Sequence, residues 1–385
     1  MSRILLKTGC PGEAGDFVSL PCNFWGQTHS APVIMNVHPE LLPAIERFEL
    51  PDELGFGEIL APVMYRLDYA DGAWGEGQLL PYADISIDPS AKVLHFAQVV
   101  FEGLKAYRGE HAQVKLFRPH MNAARFNRSC ARMLMPELPE SLFIEGVSAA
   151  SACAGPLVPG LPGQSLYLRP LMFGTQASLG LAPSDRFTFL VIASPSDALI
   201  TGSLRVVVER ERTRASTGGT GNVKASGNYG ASLHSSMAAM DGGFNQPLWL
   251  DAREQKYIEE LSAMNFFAVI GGELHTPATG GTILPGVTRD SVITLAGDLG
   301  IPVREGRIAI DTLLQQVRSK QCTEAFACGT AAVVAPISVI GEKDGALYEL
   351  AEVSGPVANR LRDELLDIQE GRAPDRFNWL YTAGM

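Results

Sequence analysis

Residues 215–240 read ASTGGTGNVKASGNYGASLHSSMAAM, and Lys224 is the only side chain of the stretch with a permanent charge. Small, uncharged surroundings strip water from an ammonium and favour the neutral amine, the form that attacks a carbonyl. A surface lysine in a Gly/Ser loop has the same composition, so the stretch alone leaves both readings open. Motifs further along the chain favour the first.

The 385 residues are 46% hydrophobic and 19% charged, enough for two domains with their own cores. The net charge of -11 comes with no basic stripe, which argues against nucleic acid and anionic membrane as partners. Six scattered cysteines form no C-x-x-C pair and no metal spacing, as expected in a reducing compartment. The N-terminus has too short an apolar run for a signal peptide, and no stretch approaches a membrane span. A cytoplasmic protein without a metal is expected.

Outward from Lys224 the chain divides. Residues 1–50 are broken by Pro and Gly and read as an irregular extension packed on a core. Within 51–194, VMYRLDYADG (63–72) ends in a hairpin turn, and SLYLRPLMF (165–173) and RFTFLVIAS (186–194) read as strands. HFAQVVFEGLKAY (95–107) reads as a buried helix and MNAARFNRSCARML (121–134) as an amphipathic one. PSDALITGS (195–203) has linker composition. In 204–385, strands are expected at LRVVVER, QPLWLD, KYIEEL and NFFAVI, with Gly271-Gly272-Glu273 turning a hairpin. Helices are expected at VTRDSVITLAGDL, at DTLLQQVRS with Asp311 as N-cap, and at VANRLRDELLDIQEG. Strands and helices mix without regular β-α-β alternation, which predicts two α/β (α+β) domains rather than a barrel or a Rossmann sheet.

A lysine-bound pyridoxal phosphate needs an amine for its aldehyde, amides and a cation for its phosphate, and an anion for its pyridine nitrogen. The phosphate cup has a candidate in GGTILPGVTRDSVITLAG (280–297), where a Gly/Pro loop enters a helix near Val287 or Thr288. An ordinary helix start capped by Thr288 is the alternative. The anion candidate is Glu260: strand alternation sends Glu259 and Glu260 to opposite faces, although an exposed edge would account for both. Gly329-Thr330-Ala331 is either a seat for a carboxylate or a plain turn.

In order along the chain, KASGNY (224–229), ELSAMN (260–265), LPGVTR (284–289) and GTA (329–331) resemble the motifs of branched-chain amino acid aminotransferases, fold-type IV pyridoxal-phosphate enzymes. FEGLKAYRG (101–109), LFRPHMNAARFNRS (116–129) and SLYLRP (165–170) resemble the same family, so the likeness spans roughly residues 55–385. It implies a small N-terminal α/β domain, a larger cofactor-binding domain and a homodimer acting on small-molecule amino acids and 2-oxo acids.

By position, Lys224 resembles the lysine that bonds to the cofactor, and Tyr229 the partner of its phenolic oxygen. Glu260 corresponds to the partner of the pyridine nitrogen. Arg125 corresponds to the phosphate arginine, beside Leu284, Gly286 and the amides of Val287 and Thr288. The amides of Thr330 and Ala331 would take the substrate's α-carboxylate. Phe101, Tyr167 and Arg169 match side-chain pocket positions, with Arg169 suited to the second carboxylate of glutamate. Leu179 and Leu181 resemble residues supplied across a dimer interface. Phe96 stands where tyrosine is common, Leu199 and Ile200 replace an aromatic pair, and Ala332 and Ala335 stand where animal relatives carry C-x-x-C. The same lysine, glutamate and phosphate cup would serve a D-amino acid aminotransferase or an aminodeoxychorismate lyase. A non-catalytic binder of a phosphate ligand is the rival from another class.

Overall fold

The computed structural model describes residues 18–21, 34–200, 202–353 and 355–384. Most of the N-terminal extension, with Cys10 and Cys22, lies outside them. Residues 34–50 are not irregular: they form the strand Ile34–Val37 and the short helix Leu41–Glu46. Met35, Val37, Leu41 and Ile45 are buried in the first core. An apolar residue every second and then every fourth position was the local sign of this.

Two sheets organise the described chain. The first is built around Ser165–Gly174 and Phe187–Ser196, which pair antiparallel from Phe187↔Gly174 to Ser196↔Ser165. Met64–Ala70 extends it on one side, and Leu104–Arg108 and Val114–Phe117 on the other. Helices Pro119–Arg132 and Glu140–Cys153 contribute Phe126 and Phe143, which pack with Phe189 at ring separations of 5.4 to 6.0 Å. The strand Leu380–Thr382 returns from the far end of the sequence and pairs with Val114–Phe117, Leu380 opposite Phe117.

The second sheet takes over after Ser196, beginning at Leu204–Glu209. Its path runs Ile258–Leu261, Gln246–Leu250, Leu204–Glu209, Val333–Gly341, Cys322–Gly329, Asn265–Ile270. One further pair, Glu260↔Asn265, joins the two ends, so the six strands form a ring. The closing pair joins strands that are consecutive in sequence, turning across residues 262–264. Leu248, Leu261 and Ile337 fill one core with helix Ile310–Arg318, while Phe267, Phe326 and Val292 form another beneath helices Val287–Asp298 and Pro356–Gln369.

Two local expectations fail. The segment 95–107 is helical only to Phe96; Ala97 turns left-handed (φ 48°), and the strands Val99–Phe101 and Leu104–Arg108 follow. A short apolar run does not distinguish buried strand from buried helix, and here the β-branched pair Val99-Val100 decides. Asp311 is not the N-cap; that position is Ala309, and Asp311 sits in the first turn facing Arg210 at 2.7 Å. The Gly/Ser stretch after Lys224 is the helix Ser226–Asp241, with Leu233, Met237 and Met240 exposed along it.

Candidate active site

The site lies where the first sheet's segment 99–103 meets the second unit. Phe101 donates its amide to the Lys224 carbonyl at 3.1 Å, and Val100 bridges to Ala225. Lys224 stands just before helix Ser226–Asp241, separated from it by the N-cap Ala225. The first turn brings Tyr229 round so that Nζ donates to its Oη at 2.8 Å. The amine also stands 4.6 Å from the Phe101 ring and 5.0 Å from that of Tyr229. Aromatic faces hold a cation in place without neutralising it. Asn228 ties the preceding loop down through the carbonyls of Thr220 and Val223.

Glu259 and Glu260 are both buried, so neither lies on an exposed edge. Glu259 accepts from the Thr282 hydroxyl. Glu260 accepts from Asn265 at 2.9 Å and from the Leu284 amide at 3.2 Å, and it pairs with Arg214 at 2.6 Å. Burial pushes the Glu260 carboxyl up to about 7 despite the opposing pull of Arg214. A second cation beside it would restore the carboxylate at neutral pH.

Helix Val287–Asp298 begins after Gly286, and no side chain caps it. Thr288 is therefore not a cap, and the first-turn amides are left to the cavity. Gly286 has no room for a side chain, since a Cβ there would collide with the Asn265 amide oxygen. Arg125, on helix Pro119–Arg132, reaches the same corner and donates to the Pro285 carbonyl at 3.2 Å. Its Nε and Nη2 donate to the two oxygens of Glu102, each at 2.7 Å. Burial alone would raise the Glu102 carboxyl, but Arg125, with Lys224 and Asn122, holds it below the usual carboxylate range.

At the other end Thr330 donates its hydroxyl to the Gly103 carbonyl at 3.2 Å. Arg169 donates to the Tyr167 hydroxyl at 3.1 Å and lies 4.7 Å over Phe101. Its buried Nε has no hydrogen-bond partner. Phe56 closes this wall, edge-on to Tyr167 at 5.0 Å.

Lys224, Tyr229, Glu260, Arg214, Arg125, Thr330, Arg169, Tyr167, Phe101 and Phe56 line one cavity of about 610 Å³, together with Leu284, Gly286, Val287, Thr288 and Ala331. Arg125 is matched by Glu102 and Arg214 by Glu260, whereas Lys224 and Arg169 pair with no carboxylate among the described residues. The cavity is thus built for an anion. Phe96, Leu179 and Leu181 do not line it; they lie on the surface, Leu181 at 88% exposure. Sequence reasoning missed Arg214, Glu102 and Phe56. The first stands one residue outside the uncharged stretch around Lys224, and the second lies within FEGLKAYRG.

The chain matches the family model described as amino-transferase class IV over residues 99–340. It is 43% identical over 352 residues to a probable branched-chain-amino-acid aminotransferase of Streptomyces coelicolor, covering 90% of this chain and 97% of that protein. Among solved structures it resembles a branched-chain aminotransferase of Thermoproteus uzoniensis with norvaline, at TM-score 0.69 and 26% identity, covering 82% and 99% of the two chains. It also resembles a T.th. branched-chain amino acid aminotransferase complexed with N-(5'-phosphopyridoxyl)-L-glutamate, at TM-score 0.67 and 29% identity, covering 82% and 98%.

Proposed function

Because the chain belongs to the branched-chain aminotransferases of the class IV family, we infer that it moves the amino group of L-leucine, L-isoleucine or L-valine to 2-oxoglutarate, with pyridoxal 5'-phosphate as its cofactor. The observation that carries this is the convergence of Lys224, Glu260 and an uncapped helix start with Arg125 on one cavity.

The residues fit the cofactor. Val287, Thr288 and Arg125 would hold its phosphate, Tyr229 its phenolic oxygen, and Glu260 its pyridine nitrogen, the second cation that the buried carboxyl calls for. Bound there, pyridoxal phosphate supplies a carbonyl carbon that receives the amino group and a ring that takes up negative charge.

The chain's own part is placement and proton transfer. Lys224 Nζ, steered by Tyr229 and Phe101, takes the proton from the substrate's Cα as a general base. The amides of Thr330 and Ala331 seat the α-carboxylate, which fixes which bond faces that amine. Phe56, Phe101, Leu171 and Ile192 give the side-chain pocket an apolar lining. Such walls separate one methylene from another by only about 1–3 kcal/mol, so the three aliphatic amino acids are all accepted. Arg169 serves the distal carboxylate of glutamate and 2-oxoglutarate, supported by its unpartnered buried Nε.

The exposed Leu179, Leu181, Leu233, Met237 and Met240 support a homodimer in which the 177–183 loop faces the partner's pocket. Residues 34–196, with the returning strand Leu380–Thr382, act as one domain and the second sheet with its helices from Leu204 onward as the other, joined through 197–203 rather than 195–203. Cys130, Cys153, Cys322 and Cys328 are free thiols, and no described helix is long and apolar enough to cross a membrane; both support a cytoplasmic location.

An amino-acid panel with 2-oxoglutarate as acceptor tests the reading. L-leucine, L-isoleucine and L-valine should react and D-alanine should not. Turnover of D-alanine alone would move the chain to another branch of the family, and a colourless protein that ignores added cofactor would remove the reading.

A further inference from the structure

Lys105 lies in the strand Leu104–Arg108 with 3% of its surface exposed. Its amine donates to the Ala331 carbonyl at 3.0 Å, and no carboxylate pairs with it among the described residues. A buried ammonium without an anion is costly, and a methionine would fill the same space at no such cost. The charge therefore needs a role.

Its position supplies one. Lys105 does not line the active-site cavity; it lines a cleft on the far side of the 330–332 turn, and Ala331 borders both spaces. Two residues before Lys105, the Gly103 carbonyl accepts the Thr330 hydroxyl. One short segment thus grips consecutive residues of the turn, one by its hydroxyl and one by its carbonyl.

The turn needs that grip. Val333, where pairing resumes opposite Gly329, has φ +58°, a left-handed conformation that a β-branched residue disfavours. Hairpin loops of this shape usually place Gly or Asn there. Such geometry persists only where surrounding contacts impose it.

We propose that Lys105 is a positioning residue: from behind the turn it fixes the Ala331 carbonyl, so that the Thr330 and Ala331 amides face the cavity, and its charge strengthens their hold on the substrate's α-carboxylate. This rests on the reading of that turn as the α-carboxylate seat. Both substrates of the reaction carry this group, so both depend on Lys105, whereas the proton transfer at Lys224 does not.

The test uses Lys105→Met and Lys105→Arg in the cofactor-loaded enzyme. The probes are 4-methylvalerate, a carboxylate without an amino group, and isopentylamine, an amine without a carboxylate. Lys105→Met should raise KM for leucine and for 2-oxoglutarate about ten- to hundredfold while kcat stays within about threefold. Binding of 4-methylvalerate should weaken by the same factor, isopentylamine should bind as before, and Lys105→Arg should recover most of the loss. Unchanged KM values in Lys105→Met, or equal weakening of the carboxylate and the amine, would overturn the proposal. A wild-type enzyme that does not transaminate leucine would instead remove the functional reading beneath it.

Discussion

Replacing Glu102 by Gln tests the charge layout of the cavity. The Arg125–Glu102 pair is bidentate at 2.7 Å, with side chains 4% and 0% exposed. Removing one partner of a buried pair leaves an uncompensated charge and costs about 3–5 kcal/mol. Glutamine keeps the shape and still accepts one bond, so about 3 kcal/mol is expected for the cofactor-free enzyme. With an unfolding entropy near 2.1 cal/mol/K per residue, a chain of 385 residues should melt about 4 °C lower. If Arg125 faces the cofactor's phosphate, that dianion takes over part of the lost compensation, and the loaded enzyme should lose only about half as much. Thermodynamic linkage then requires the variant to bind the cofactor roughly tenfold tighter. Thermal melts of both forms with a cofactor titration measure all three quantities. Equal losses with and without cofactor would refute the placement of Arg125 at the phosphate, and a loss below about 1 kcal/mol would refute the charge argument altogether.

Other outcomes depend on single residues. Lys224→Ala should abolish transamination and the visible absorbance of the loaded enzyme; a variant that keeps both would withdraw Lys224 as the base. Glu260→Gln should retain the cofactor but slow turnover by roughly 10²–10⁴-fold. The same variant reports on pH. A carboxyl at about 7 in the folded state binds its proton more tightly than in the unfolded chain, so its stabilisation is complete below about pH 4.5 and is lost as pH rises through 7. Urea titrations of the cofactor-free wild type and Glu260→Gln should therefore diverge by about 3 kcal/mol across that window, and a constant difference would contradict the assigned environment. A Cβ at position 103 would collide with the Tyr167 hydroxyl. Gly103→Ala should displace Tyr167, release Arg169 and raise KM for 2-oxoglutarate about tenfold; an unchanged KM would mean that this corner does not bind the acceptor.

The segments most legible in the sequence are those whose chemistry is local. KASGNY carries both the amine and the phenol, because the adjoining helix brings residues five apart within reach. LPGVTR is a loop entering a helix, and the missing cap shows only in coordinates. The helices Pro119–Arg132 and Pro356–Gln369 follow from their apolar spacing. What escaped is long-range or compositionally disguised. Helix Ser226–Asp241 buries Ser232 and Ser235 and exposes Leu233 and Met237, the reverse of the pattern that marks a core-facing helix. The partners Arg214 of Glu260 and Glu102 of Arg125 arrive from distant elements, and no spacing rule links them. The ring depends on the pairing of Leu204–Glu209 with Val333–Gly341, strands separated by more than a hundred residues.

The strand Leu380–Thr382 completes a sheet whose other members were made much earlier. On the ribosome, Val114–Phe117 must therefore wait with one border open while the whole second unit is synthesised. An open border of this kind recruits foreign strands. Yield during expression should then depend on how quickly residues 380–382 reach their berth, and clipping them after folding should favour clumping before it impairs turnover.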